Sequence, residues 1–105
     1  MLNNNHDQVL FLVVVTDRKQ KDDILTMLLD EGIHLINTVY GRGTVCEHFF
    51  MDAFGLNPER NKAVITCVST YVKTEAALGA LKTKFGFDRP NTGIAFTMPV
   101  DKVSF

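Results

Sequence analysis

Cysteine is scarce in this chain of 105 residues: only Cys46 and Cys67 occur, so a disulfide framework is not what holds it together, and a reduced, cytoplasmic protein is expected. Neither sign of charge dominates, since eleven Lys plus Arg against twelve Asp plus Glu leave a formal charge of −1. That balance excludes a strong electrostatic pull toward nucleic acid or an anionic membrane. Long apolar runs are absent as well. The longest, Val9 to Val15, has seven residues, where a membrane-spanning helix needs roughly 20. Ahead of it stand Asn3, Asn4, Asn5, His6 and Asp7, with no Lys or Arg and no small-residue cleavage site behind, so no secretory leader is expected. The three histidines, His6, His34 and His48, fall at a tail, a strand start and a loop. No Ser/His/Asp set or acid/base pair can be assembled, and no catalytic residue is nominated.

What is present is material for one core. Apolar residues make up 46% of the chain and include eight Phe, enough for a single packed domain over residues 1–105, with 1–7 as a tail. Val9 to Val15 is a continuous β-rich run of the kind buried on both faces of a sheet. Over Lys21 to Glu31, Ile24, Leu25, Leu28 and Leu29 recur at helical spacing, Asp22 and Asp23 suit the first turn, and Gly32 supplies a stop. Ile33 to Tyr40 and Ala63 to Val72 are rich in β-branched residues and predict two further strands. Thr74 and Glu75 open a second helix, whose Ala77, Leu78, Leu81 and Phe85 share a face and which Gly86 ends. After the turn-rich stretch Asp88 to Gly93, Ile94 to Met98 forms the last strand, closed by Pro99. The order βαββαβ predicts a ferredoxin-like α+β fold, an antiparallel four-stranded sheet with both helices on one face. The other face, greasy along the first and third strands, needs a cover, and a homo-oligomer is expected.

Two segments could carry chemistry. Gly41 to Lys62 is far longer than a hairpin connection of two to five residues. It starts with Gly41-Arg42-Gly43-Thr44, where the glycines let backbone N–H groups face an anion and Arg42 can grip phosphate or carboxylate; a plain loop root with a solvated Arg fits the same letters. Its middle carries Phe49, Phe50, Met51 and Phe54, which either fold back as a short helix from Glu47 to Phe54 or await a partner protein. Cys46, His48 and Asp52 could together hold a soft or borderline metal, although no CxxC or second His pair backs them. Cys67, in mid-strand, reads as a small core residue. In the second segment, Lys84 and Arg89 flank the turn from Asp88 to Gly93, which either cradles a phosphate or merely connects.

Taken together these stretches resemble the PII-type (nitrogen regulatory protein P-II) signalling family. Asp22-Asp23-Ile24 with Leu28 and Gly32-Ile33 is similar to its first helix, and Gly41-x-Gly43 to the root of its signalling T-loop. Asp88 to Gly93 falls where its B-loop sits, and Gly93 to Lys102 is similar to its fourth strand and exit, with Phe96, Pro99 and Val100 in register. The resemblance covers the chain from the first strand to Lys102. It implies a homotrimer that holds a nucleotide, ATP or ADP, between subunits at Gly41, Arg42, Gly43, Thr44, Lys84, Asp88, Arg89 and Gly93, needs no cofactor, and regulates a partner enzyme or transporter through the loop.

The chain departs from the family pattern in several places. Thr44 and Val45 replace an Arg and a Gln, and Gly93-Ile94 replaces a Gly-Lys that contacts phosphate. The Arg-rich C-terminal segment has no counterpart before Phe105, and no Tyr lies between Gly43 and Lys62 to accept uridylylation. Arg42, Lys84 and Arg89 are the cations that can compensate, and a different small anion is compatible with the loss. A CutA-type metal-tolerance protein is the alternative, with Cys46 and His48 as ligands; a small ferredoxin-like hydrolase or isomerase ranks third.

Overall fold

The computed structural model describes residues 8–41, 62–89 and 92–101. Strand β1 runs Val9–Asp17, helix α1 Arg18–Asp30, strand β2 Leu35–Gly41, strand β3 Lys62–Thr70, helix α2 Tyr71–Phe85 and strand β4 Gly93–Pro99. They form one antiparallel sheet in the order β2-β3-β1-β4. This is the ferredoxin-like arrangement that the element order predicts.

Several boundaries differ from the sequence reading, and three of them have a clear local reason. Helix α1 starts at Arg18, directly behind Asp17, rather than at Lys21. Its first turn therefore holds no acidic residue, and Asp22 and Asp23 do not have the dipole role expected of them. Strand β3 stops at Thr70, not Val72, because the Thr70 hydroxyl accepts the backbone N–H of Lys73 at 3.5 Å and turns Tyr71 and Val72 into the first turn of α2. A cap thus overrides the β-branched run. Ile33 is core rather than strand: it is 1% exposed, and its N–H returns to the Leu28 carbonyl at 3.0 Å.

Helix ends follow glycine. Gly86 adopts φ 71° behind α2, and the Phe87 N–H closes on the Leu81 carbonyl at 3.1 Å. Gly32 turns at φ 84° behind α1, and the Lys73 ammonium donates to its carbonyl at 3.2 Å, which ties the end of α1 to the start of α2.

Alternation along the strands divides the apolar residues between two faces. Toward the helices, Leu12 and Val14 of β1 and Ile65 and Cys67 of β3 pack with Ile24, Met27 and Leu28 of α1 and Ala77, Ala80 and Leu81 of α2. On the opposite face Val13 and Val15 cluster with Phe11, Val64, Ile94 and Phe96. The strand register carries that surface outward to Leu35 and Val39 on β2 and Met98 on β4, exposed by 71%, 53% and 46%. So much exposed apolar sheet is unusual for a solitary domain.

Candidate functional site

The end of β2, the start of β3, the end of β1 and the start of β4 lie at one end of the sheet. Across it Gly41 pairs with Lys62, Lys62 with Asp17, and Thr16 with Gly93. The long β2–β3 connection leaves and returns here, beside the turn that leads into β4. Gly41 and Gly93 nevertheless occupy opposite edges, three strand spacings or about 14–15 Å apart. The two segments therefore start from separate corners of the sheet.

Between those edges sits a buried ion pair. The Lys62 ammonium, on a side chain 1% exposed, meets the Asp17 carboxylate at 2.6 Å, and Asp17 is itself only 17% exposed. Such a pair forms where two charges leave water together, because either alone would carry a large desolvation cost. The sequence reading missed both residues. Their separation of 45 positions is bridged only by the β1–β3 register, and no local pattern announces it.

On the helix side of the same end, the ring of Tyr40 lies under the Arg18 guanidinium, 4.5 Å from its centroid, and the Tyr40 hydroxyl accepts from the Lys21 ammonium at 2.6 Å. Lys21 also pairs with Asp22 at 2.9 Å. The Tyr40 hydrogen bond, reinforced by Asp22, holds the Lys21 pKa above its ordinary value. These contacts fasten the residue before Gly41 to the first turn of α1.

On the β4 side, Lys84 lies exposed in the last turn of α2, and Asp88 and Arg89 are exposed in the turn beyond it. Arg89 folds back so closely that its guanidinium takes the space a side chain at position 86 would need. Gly93 has a comparable cause: a Cβ there would stand 2.6 Å from the Phe87 ring and 2.9 Å from the Val15 carbonyl. Close approach thus accounts for Gly93, and close approach together with a left-handed backbone for Gly86.

Lys84, Asp88 and Arg89 thus lie exposed along the end of α2 and the turn that leads to Gly93, and the Gly41 backbone lies across the sheet from Gly93. Arg42, Gly43 and Thr44, the candidate metal ligands Cys46 and His48, and the loop residues Phe49, Phe50, Met51 and Phe54 lie outside the described residues. Cys67 is the core residue expected: 2% exposed, with its thiol pushed up to about 11 by burial.

No family model matches the chain, and no curated protein matches it in sequence. Solved structures do match in fold, and they define the class: the chain has the fold of PII and PII-like signalling proteins. CPII of Thiomonas intermedia K12, bound to ADP, AMP and acetate, aligns with a TM-score of 0.66 at 13% identity over 91% of each chain. PII of Arabidopsis thaliana bound to citrate aligns at 0.63 and 15% identity, over 90% of this chain and 78% of that one. The B. subtilis GlnK–ATP complex aligns at 0.60 and 16% identity, over 89% and 82%. Among the described residues no helix is long and apolar enough to cross a membrane.

Proposed function

We propose that this chain is a divergent PII-like regulator: a homotrimer that binds a small anionic effector, an adenine nucleotide, between subunits and controls a partner protein through residues 41–62. The observation that carries the reading is the placement of the loop root and the B-loop-like turn at one sheet end but on opposite edges, beside an apolar face that calls for further copies of the chain. Packing copies through that face brings the Gly41 edge of one subunit toward the Gly93 edge of the next, so that Arg42 from one side and Lys84 and Arg89 from the other supply positive charge. Neighbours of the same fold hold ADP, AMP or ATP, which supports the choice of ligand class. Switching then follows from differential affinity. The effector binds one loop state better, and the partner reads the shifted population. The chemistry is regulation, without turnover.

Sedimentation together with calorimetry tests this reading. A trimer that binds ADP or ATP is expected, with Arg42→Ala and Arg89→Ala each weakening binding roughly 10- to 150-fold, the range for loss of one charge-assisted hydrogen bond in a dry site. A stable monomer at micromolar concentration rejects the assembly and the site with it. Equal affinity in all three proteins rejects the assigned cations. Binding of divalent metal that Cys46→Ser and His48→Ala abolish would support the CutA-type alternative instead.

A further inference from the structure

The apolar face of the sheet has a polar interruption at its middle. Strand register sets three rows of residues across that face, each running from β2 through β3 and β1 to β4. One row begins at Val39 and ends at Ile94, another begins at Leu35 and ends at Met98, and both are apolar throughout. Between them the middle row reads Asn37, Thr66, Val13, Phe96. Asn37 is exposed and Thr66 half-buried, so an amide and a hydroxyl stand on paired positions in the β2 half of the face alone. None of the three rows contains a charged residue. Charge enters one row beyond Val39, where Lys62 and Asp17 meet each other.

The cover this face needs is defined by where it is bare. Exposure is greatest at the two outer strands, 71% at Leu35 and 53% at Val39 on β2 and 46% at Met98 on β4, and these strands lie three spacings, about 14–15 Å, apart. A single helix, about 10–12 Å across, leaves one of them in water. A sheet of equal width covers both, and an uncharged face suits an uncharged face, which a second copy of the chain supplies.

We propose that Asn37 and Thr66 fix the register in which copies of this chain pack through the apolar face, the amide and hydroxyl of one copy bonding to polar groups of the same pair in another. The inference rests on the self-associating reading above and adds the residues that select one assembly. Both side chains donate and accept, so the pair is complementary to a copy of itself. Apolar rows alone would let copies slide, because Val packs on Val about as well as on Ile. A slide of one row, about 7 Å along the strands, sets the Asn37 amide against apolar side chains with its hydrogen bonds unmade, and that arrangement is disfavoured. A polar residue inside an apolar seam selects one register and one number of chains in coiled coils by the same physics, at some cost in stability.

Sedimentation velocity on the whole chain, over a series of loading concentrations, tests this with Asn37→Leu/Thr66→Val, which suits both positions to a strand. Wild type is expected to give one stoichiometry, and the variant a mixture of stoichiometries with association no weaker than wild type. Asn37→Ala/Thr66→Ala, which removes the polar groups without enlarging the apolar surface, should give the same mixture and answers the question if the first variant precipitates. Asn37→Asp, close in shape, places a charge between the copies and is expected to weaken association at least about tenfold at pH 7. A variant that keeps the single wild-type stoichiometry overturns the register role and leaves the homotrimer standing, as does Asn37→Asp associating as tightly as wild type. A mixture already present in wild type overturns the register role as well. A wild-type monomer overturns both this inference and the assembly on which it rests.

Discussion

Tyr40 and Lys21 lie 19 positions apart and meet at 2.6 Å, hydroxyl to ammonium, with the Arg18 guanidinium stacked on the same ring. The last side chain before the loop is thereby held by the first turn of α1.

Replacing Tyr40 should therefore loosen the loop root more than it weakens the fold. Tyr40 is 48% exposed and contributes little to the core. Tyr40→Ala is expected to lower Tm by less than about 5 °C while speeding amide exchange over Val39 to Gly41. Tyr40→Phe, which keeps the ring under Arg18 and loses the Lys21 bond, should fall between the two. Unchanged exchange in Tyr40→Ala would show that strand pairing alone holds the root.

Adjacent leucines on α1 should behave differently. Leu28 is fully buried between the helices and the sheet, whereas Leu29 is 51% exposed. Leu28→Ala is expected to cost about 2–5 kcal/mol, the transfer term plus the cavity left behind. Leu29→Ala should stay within about 0.5 kcal/mol. Urea denaturation of both variants checks the contrast, and comparable losses would contradict the packing described.

Gly86 answers to backbone as well as space. At φ 71° a Cβ costs about 1–2 kcal/mol, and here it would also evict the Arg89 guanidinium. Gly86→Ala should thus destabilise the protein and at the same time change effector affinity, because it moves a proposed ligand-binding cation. Thermal melts with and without ADP separate the two effects.

The Cys67 thiol makes a pH prediction. Burial raises it from the ordinary 9.0 to about 11, so well below pH 9 the thiol is protonated in both folded and unfolded chains and contributes no pH dependence. Between those values the unfolded chain releases a proton that the folded chain retains. Stability therefore falls as pH rises from 9 to 11. Cys67→Ala, although weaker overall from the lost side-chain volume, should lack this component of the decline in denaturation curves taken at successive pH values. Native Cys67 should also resist alkylation at pH 8 until the protein unfolds.

Among the described residues the primary structure alone determined the type and order of the elements, since hydrophobic period and glycine stops are local signals. Val9 to Val15 announces β1, Ile24 to Leu29 announces α1, and Gly32 and Gly86 close the helices where expected. It also singled out Gly41 and Gly93 as borders of the two candidate segments. Tertiary structure decided what depends on strangers in the chain. Whether Val72 is strand or helix turned on the Thr70 cap, and whether Asp17 caps α1 turned on Lys62, 45 residues away. Sheet order alone set Gly41 and Gly93 on opposite edges. Local patterns report which conformation a segment favours, whereas a buried charge takes its partner from whatever the strand register places beside it, and that register exists only once the sheet has formed.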